Sequence, residues 1–215
     1  MTDSIYDQLN ASGTVAKQRV VETFSGDALD TDRWNTVAWA GSPTSGMSNA
    51  VNGGYNITCT SSGDGESIGF GSSRTNGIAQ YSYNSSAIIF VETVSTKTNI
   101  SVSSSGLSNE IRPDGAGNNA SLHVIKSAFT YFTLRTVGVA GSQTDVSSSV
   151  TQDTAEHVVK IENKASSVEH TLDGVLEGIS STNLPVLALQ PNFGIQSSVT
   201  ATVTKNITYC EAYNT

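Results

Sequence analysis

Acidic side chains that stand close together in the sequence are the first candidates for chemistry. Two pairs have one residue between their members: Asp30 with Asp32, and Asp64 with Glu66. Two carboxyl groups held a few ångströms apart can hydrolyse a glycosidic bond, one as an acid and the other as a base or nucleophile. Both pairs, however, stand among Ser, Thr and Gly residues, where Asp commonly bonds nearby backbone in a solvated turn. We therefore expect turn formation rather than catalysis from both pairs.

Metal ligation is a second possible chemistry. Asp27, Asp30 and Asp32 lie in one loop-like stretch and are weak candidates for calcium, which takes oxygen ligands from loops. All three histidines fall in segments with strand character: His123, His157 and His170. No further His, Cys or carboxylate ligands converge on them in the pattern, so we expect surface histidines and no bound metal. Apart from possible calcium, no cofactor is predicted.

Exposed aromatic side chains could bind sugar rings by stacking. Trp39 stands near Gly, Ser and Pro residues, and Tyr81 and Tyr83 would share one face of a strand. Alternation also places Tyr131 and Arg135 on one face while it buries Phe132 and Leu134. Trp39, Tyr81, Tyr83, Tyr131 and Arg135 form a candidate carbohydrate platform. The alternative is that they are ordinary half-buried aromatics of a sheet.

The composition limits the classes of partner. Of the 215 residues only 14% are charged, the net charge is −8 and the pI is about 4.7. A negative field disfavours nucleic acid and anionic lipid, and no apolar run is long enough for a membrane span. The first residues contain no basic stretch followed by an apolar one, so we expect no secretory signal. We therefore expect the protein to be synthesised in a cytoplasm.

The chain divides into a short arm and one domain. Residues 1–20 form the arm, in which Ile5 and Leu9 would lie one helical turn apart with Tyr6 beside them. From residue 21 to 215, apolar alternation and turn signals recur about every ten residues, which predicts an all-β sandwich. The predicted strands cover residues 20–24, 55–60, 77–83, 87–96, 98–103, 121–127, 131–139, 157–163, 167–172, 187–190 and 198–213.

The two cysteines are predicted to be unbonded. Alternation puts Cys59 on the face of Tyr55 and Ile57, but it puts Cys210 on the face opposite to Ile207. A disulfide forms between strands only when the Cβ vectors of the two residues converge.

Three stretches resemble the concanavalin A-like superfamily, which includes laminin-G-like domains, lectins and family-16 glucanases. The first runs from Phe24 to Trp34, and the second contains two strands followed by Asp173-Gly174. The third includes residues 183–185 and 190–195 and the closing strand 207–214. The resemblance implies an antiparallel jelly-roll sandwich of two curved sheets. Such proteins are also frequent on the virions of tailed phages, and the acidic chain with its arm is similar to those.

The functional expectation depends on a missing motif. Enzymes of the superfamily carry Glu-x-Asp-x-x-Glu on one strand, and the strand that could hold it here offers only Glu92. We therefore expect a non-enzymatic structural protein of a virion surface, a decoration or fibre-like module. Its arm would dock on a capsid or other assembly protein, with homo-oligomerisation. The alternative is a soluble lectin-like module that binds host glycans, and a glycan hydrolase is the third hypothesis.

Overall fold

The computed structural model describes residues 19–31, 33–48, 53–70, 86–109, 119–139, 141–186 and 189–214, without the side chain of Trp39. Within these ranges the chain forms fifteen β-strands and no helix. They are β1 (Arg19–Glu22), β2 (Trp34–Ala40), β3 (Thr44–Met47), β4 (Tyr55–Cys59), β5 (Gly65–Phe70), β6 (Ala87–Val94), β7 (Ile100–Ser108), β8 (Ala120–Ile125), β9 (Tyr131–Val137), β10 (Gln143–Thr151), β11 (His157–Asn163), β12 (Val168–Leu172), β13 (Val175–Ser180), β14 (Gln190–Ser197) and β15 (Val203–Tyr213).

The strands form two antiparallel sheets. The eight-stranded sheet has the order β13-β12-β11-β6-β15-β4-β3, and β1 also pairs with β15. The seven-stranded sheet has the order β10-β9-β8-β7-β14-β5-β2. One core of aromatic and aliphatic side chains fills the space between the sheets, with Trp34 and Phe193 from one sheet and Phe90 from the other among its members. The prediction of a two-sheet jelly-roll sandwich is confirmed.

The two sheets differ in how they are buried. Strands β4, β6 and β12 of the eight-stranded sheet alternate between buried and partly exposed residues, so this sheet has one face in solvent. In the seven-stranded sheet every residue of β5 and β8 is buried. Apolar alternation is therefore a good guide to the interior face of the first sheet, but it carries no such information for β5 and β8 of the second.

The Asp-Gly turn between β12 and β13 forms as the sequence indicates. Asp173 and Gly174 have φ angles of 49° and 83°, and the two strands pair across them with Leu172 opposite Val175. Positive φ at both positions is typical of the tight hairpin turn whose twist matches the strands, and Asp-Gly favours it. The structure therefore contains, at these residues, the hairpin that the sequence resemblance implies.

Several strands and segments differ from the predicted pattern. Strands β2, β3, β5, β10 and β13 were missed, and β14 extends the predicted strand 187–190 to Ser197. The predicted strand 77–83 lies outside the described residues, as does the arm except for Arg19 and Val20, which begin β1. No helix among the described residues is long and apolar enough to cross a membrane.

Both cysteines are free, as predicted, but for a different reason. Cys59 and Cys210 both face the core, because a bulge in β15 between Ile207 and Tyr209 reverses the alternation before Cys210. The two thiols are separated along the strand instead. Cys59 pairs with Val203, seven residues before Cys210, which corresponds to about 23 Å of strand.

We expect both thiols to react only when the protein unfolds. Burial, with the charges of Asp64 and Glu66, raises the pKa of Cys59 to about 11. Burial also raises the pKa of Cys210 well above its usual value. Since the thiolate is the reactive form, alkylation followed by mass spectrometry should label neither cysteine in native buffer and both in denaturant, without reductant. A crosslinked peptide in the unreduced digest, or fast labelling of the native protein, would contradict this assignment.

Candidate functional site

Polar side chains occupy the centre of the sandwich, where the sequence pattern is otherwise apolar. On β6, Glu92 lies on the same face as the buried Ile88 and Phe90. On β15, Lys205 lies between Val203 and Ile207 and is fully buried. We call the following residues the interior polar cluster: Glu92, Ser103, Ser105, His123, His170 and Lys205.

Lys205 joins the two sheets at this cluster. Its ammonium nitrogen Nζ lies 2.8 Å from Oε2 of Glu92, which is on the neighbouring strand β6 of the same sheet. Nζ also donates to Ser103 Oγ at 2.9 Å and to the carbonyl oxygen of Ser104 at 3.3 Å, both on β7 of the opposite sheet. Burial lowers the pKa of Lys205, and Glu92 acts against that shift. All three donors of the ammonium group thus have acceptors.

The two carboxylate oxygens of Glu92 have unequal surroundings. Oε2 receives the ammonium group of Lys205 and a short hydrogen bond from the hydroxyl of Ser105. Oε1 is buried and has no hydrogen-bond partner among the described residues. His123 Nε2 lies 3.8 Å from Oε1, which is too far for a direct hydrogen bond. Oε1 is therefore the atom of this carboxylate that is available to a ligand.

Two buried histidines continue the cluster across the sandwich. His123 on β8 and His170 on β12 are 1% and 0% exposed, and His123 Nδ1 lies 2.9 Å from His170 Nε2. Burial, followed by electrostatic interactions with His170, Lys205 and His157, lowers the pKa of His123 well below its usual value. Burial lowers the pKa of His170 to about 4, although Glu177 opposes the shift. Both imidazoles are therefore neutral near neutral pH.

A pocket connects this cluster with the surface. Glu92, His123 and Phe132 lie at its buried base, and Asp153, Ala155 and His157 lie at its rim. The ring of Phe132 contacts both imidazoles, with ring centroids 5.0 Å from His123 and 4.9 Å from His157. Asp153 and Ala155 are exposed, so the rim meets solvent while the base does not. We call this cavity the Glu92 pocket.

His157 holds the rim in place through two carboxylates. Its Nδ1 lies 2.7 Å from Asp173 Oδ2 in the β12–β13 turn, and its Nε2 lies 2.9 Å from Asp153 Oδ1 in the β10–β11 loop. Burial lowers the pKa of His157, but the hydrogen bonds and charges of Asp173 and Asp153 outweigh it and raise that pKa overall. An imidazolium can donate to both carboxylates at once, which a neutral ring cannot do.

The prediction of three surface histidines is wrong for two of them. His170 stands in phase with the buried Val168 and Leu172, so the alternation already placed it inside. Glu92 and Lys205 were in phase with buried neighbours in the same way, and their pairing could have been suspected from two opposite charges at apolar positions. His123 had no comparable signal, because both faces of β8 are buried.

The predicted carbohydrate platform is only partly within the described residues. Tyr131 is 42% exposed at the beginning of β9. Arg135 is 3% exposed, and its guanidinium forms two hydrogen bonds of 2.7 Å with the carboxylate of Asp145 on β10. The side chain of Trp39 and both Tyr81 and Tyr83 lie outside the described residues, as do the arm residues Ile5, Tyr6 and Leu9. The platform stays a prediction.

The expectation of a solvated turn is wrong for Asp64 and Glu66, because both side chains are buried and Glu66 lies on β5. Asp64 is 3% exposed and accepts hydrogen bonds from the backbone N–H groups of Thr60 and Ser61. Glu66 is 5% exposed and accepts from Ser45, and burial raises its pKa.

The weak calcium candidates stand in the loop before β2. Asp30 forms a salt bridge with Arg33, and Asp32 lies outside the described residues. In the described part of the chain no three His, Cys, Asp or Glu side chains are grouped to hold a metal ion. Calcium at Asp27, Asp30 and Asp32 stays a prediction.

The two curved sheets and their strand order define a concanavalin-like jelly roll. No protein-family model and no curated protein sequence matches the chain. Among solved structures, the β-glucanase of Bacillus licheniformis matches 92% of this chain and 98% of its own, with TM-score 0.64 and 10% identity. The laminarinase catalytic domain of Thermotoga maritima matches 93% of this chain over 98% of its own, with TM-score 0.63 and 12% identity. The Crh5 transglycosylase matches 91% and 84%, with TM-score 0.60 and 14% identity.

These matches correct the functional prediction. The expectation of a non-enzymatic virion protein is wrong, because the structures that share this fold over more than nine-tenths of the chain are glycan-cleaving or glycan-transferring enzymes. Nothing in the matches supports a phage virion. The expectation rested on one missing motif and on a resemblance to virion proteins, and the third hypothesis fits the matches better.

The buried histidines predict that acid destabilises the protein. In the unfolded chain a histidine titrates near its ordinary pKa of ~6.5, so between about pH 4 and that value the unfolded state binds more protons than the folded state. Stability should therefore fall as the pH falls. With the pKa of His170 at about 4, this residue alone should remove ~2 kcal/mol of unfolding free energy between about pH 7 and about pH 5.

Denaturant unfolding at several pH values measures this effect. His170→Gln should show a smaller loss than the wild type over that range. His157→Gln is the matched control: the raised pKa of His157 stabilises the fold below its ordinary pKa, and that contribution is lost as the pH rises. Replacing His157 should therefore not reduce the unfolding free energy that is lost in acid. Parallel pH curves for the wild type and His170→Gln would show that His170 is not responsible.

Proposed function

We propose that this chain is a glycan-acting enzyme of the glycoside hydrolase or transglycosylase type. The observation that carries the proposal is the buried, unpartnered oxygen Oε1 of Glu92 at the base of a pocket that meets solvent. The fold match to a β-glucanase, a laminarinase and a transglycosylase supports a carbohydrate substrate. A fold alone does not carry an activity, so the residues of the pocket have to supply the chemistry.

The Glu92 pocket contains both an acid and bases. Asp153 has its pKa lowered: burial raises it, but hydrogen bonds from His157 and from the Ala155 N–H outweigh that. Asp153 is thus a carboxylate near neutral pH. His157, whose pKa is raised, shares its Nε2 proton with Asp153, and Asp153 can pass that proton on to an oxygen atom. Glu92 Oε1 can accept a proton from a hydroxyl group or a water molecule. Glycosidic hydrolysis needs such an acid and such a base on the two sides of one bond.

The size of the pocket limits how a glycan would bind. Its enclosed volume is about 10 Å³, which is room for a single water-sized group. A glycan chain would therefore lie along the surface at the rim and place one group in the pocket. The exposed residues at the rim, Asp153 and Ala155, would be in contact with that chain.

Hydrolysis and transfer assays with matched variants test the proposal. The purified chain is incubated with β-glucans, including β-1,3-glucan, and with β-galactoside-containing glycans, with and without a labelled oligosaccharide acceptor. Release of reducing ends or labelled transfer product should be detected, and Glu92→Gln should lower the rate ~100-fold or more, which is typical for loss of a proton-transfer group.

Two further variants separate chemistry from folding. Glu162→Gln removes a carboxylate of β11 that pairs with Lys160 outside the pocket, and it should keep the wild-type rate. Asp153→Asn changes an exposed rim residue with little risk to the core and should also lower the rate. If no glycan is cleaved or transferred, or if the Glu92→Gln and Glu162→Gln proteins are equally active, the proposed function is wrong.

A further inference from the structure

The space between Glu92 and His123 has the dimensions of a hydroxyl-binding site. The two facing atoms, Glu92 Oε1 and His123 Nε2, are 3.8 Å apart. Hydrogen bonds to oxygen need ~2.5–3.2 Å, so the two atoms do not bond each other directly. One oxygen atom beside the gap can lie within hydrogen-bond distance of both. Such an oxygen would have to donate to the carboxylate and accept from the imidazole, provided that Nε2 carries hydrogen.

The hydrogen on His123 follows from its bond with His170. Both imidazoles are neutral, so each ring has one donor and one acceptor nitrogen, and a single hydrogen lies between His123 Nδ1 and His170 Nε2. If His123 Nδ1 supplied this shared hydrogen, His123 Nε2 would carry none. Two hydrogen-bond acceptors, His123 Nε2 and Glu92 Oε1, would then face each other. In addition, His170 Nδ1 would be a buried N–H, and that atom has no partner among the described residues.

The opposite arrangement satisfies more groups. If His170 Nε2–H donates to His123 Nδ1, the second hydrogen of the pair is on His123 Nε2 and points towards Glu92 Oε1. His170 Nδ1 is then an unpartnered acceptor, which a protein interior tolerates better than an unpartnered N–H. Three charged groups act on the pair: Lys205 and His157 lower the pKa of His123, and Glu177 opposes the lowering of the pKa of His170.

We propose that Glu92 Oε1 and His123 Nε2 together bind one hydroxyl oxygen, and that His170 is the positioning residue that makes His123 a donor there. The ligand class is a hydroxyl group, supplied either by a sugar or by water. Assigning this oxygen to a glycan rests on the proposed function, whereas the direction of the histidine hydrogen bond does not depend on it.

Nitrogen-15 NMR of the imidazole rings tests the direction without any substrate. Near neutral pH both His123 and His170 should carry hydrogen on Nε2 and none on Nδ1. His157, which forms hydrogen bonds through both of its nitrogens, serves as a reference in the same spectrum. In His170→Gln the side-chain amide can still donate, so His123 should keep its Nε2–H. In His170→Leu the donor is lost, and His123 should change to the Nδ1–H form or to a mixture. Hydrogen on Nδ1 of both rings in the wild type would overturn the proposal.

Crystal structures with and without an oligosaccharide test the hydroxyl. In the free protein one water oxygen should lie within hydrogen-bond distance of both Glu92 Oε1 and His123 Nε2. With the oligosaccharide, replacement by a sugar hydroxyl identifies the glycan as the source, and retention of the water identifies water as the source. An empty gap in both structures would overturn the proposal, whether or not the protein cleaves glycans.

Discussion

The ion pair between Lys205 and Glu92 is the interaction around which the middle of the sandwich is organised. Both residues extend inward from neighbouring strands of the eight-stranded sheet, and their remaining hydrogen bonds reach Ser103, Ser104 and Ser105 on the other sheet. Three consecutive residues of β7 thus serve one buried pair. Moving two charges out of water costs several kcal/mol per ion, so a pair of this kind is weak evidence for stability alone. Its retention is better explained by what it does to Glu92.

The pair makes the two oxygens of one carboxylate different. Lys205 and Ser105 saturate Oε2, while Oε1 faces the pocket without a protein partner. From the other side, the His123–His170 pair extends from β8 to β12 and so links the same two sheets. The two polar pairs therefore face each other across the 3.8 Å gap between Glu92 Oε1 and His123 Nε2, and strands alone hold this unpartnered oxygen of Glu92. Only the rim residues lie outside the middle of a strand: Asp153 is in the β10–β11 loop, and His157 begins β11.

How far the sequence leads to this description depends on the sheet concerned. Alternation identified β11 and β12 correctly, because the eight-stranded sheet has one solvated face, and the family resemblance indicated the Asp173-Gly174 hairpin. The same alternation placed Glu92 and His170 inside, although His170 was expected on the surface. In the seven-stranded sheet every residue of β5 is buried, so this strand lacks a period-two signal. The bulge before Cys210 shifted the face of that residue, and single-sequence alternation cannot detect such a shift.

A double-mutant cycle on the central pair tests most directly whether it is kept for function rather than for stability. Unfolding free energies and glycan turnover are measured for Glu92→Leu, Lys205→Met and the double variant. Each single variant leaves one buried charge unpaired and should lose ~3–5 kcal/mol of stability, whereas the double variant should lie within ~1 kcal/mol of the wild type. The double variant should nevertheless have no glycan-cleaving or transfer activity. A double variant that is as unstable as the two losses added together, or one that keeps its activity, would contradict this account.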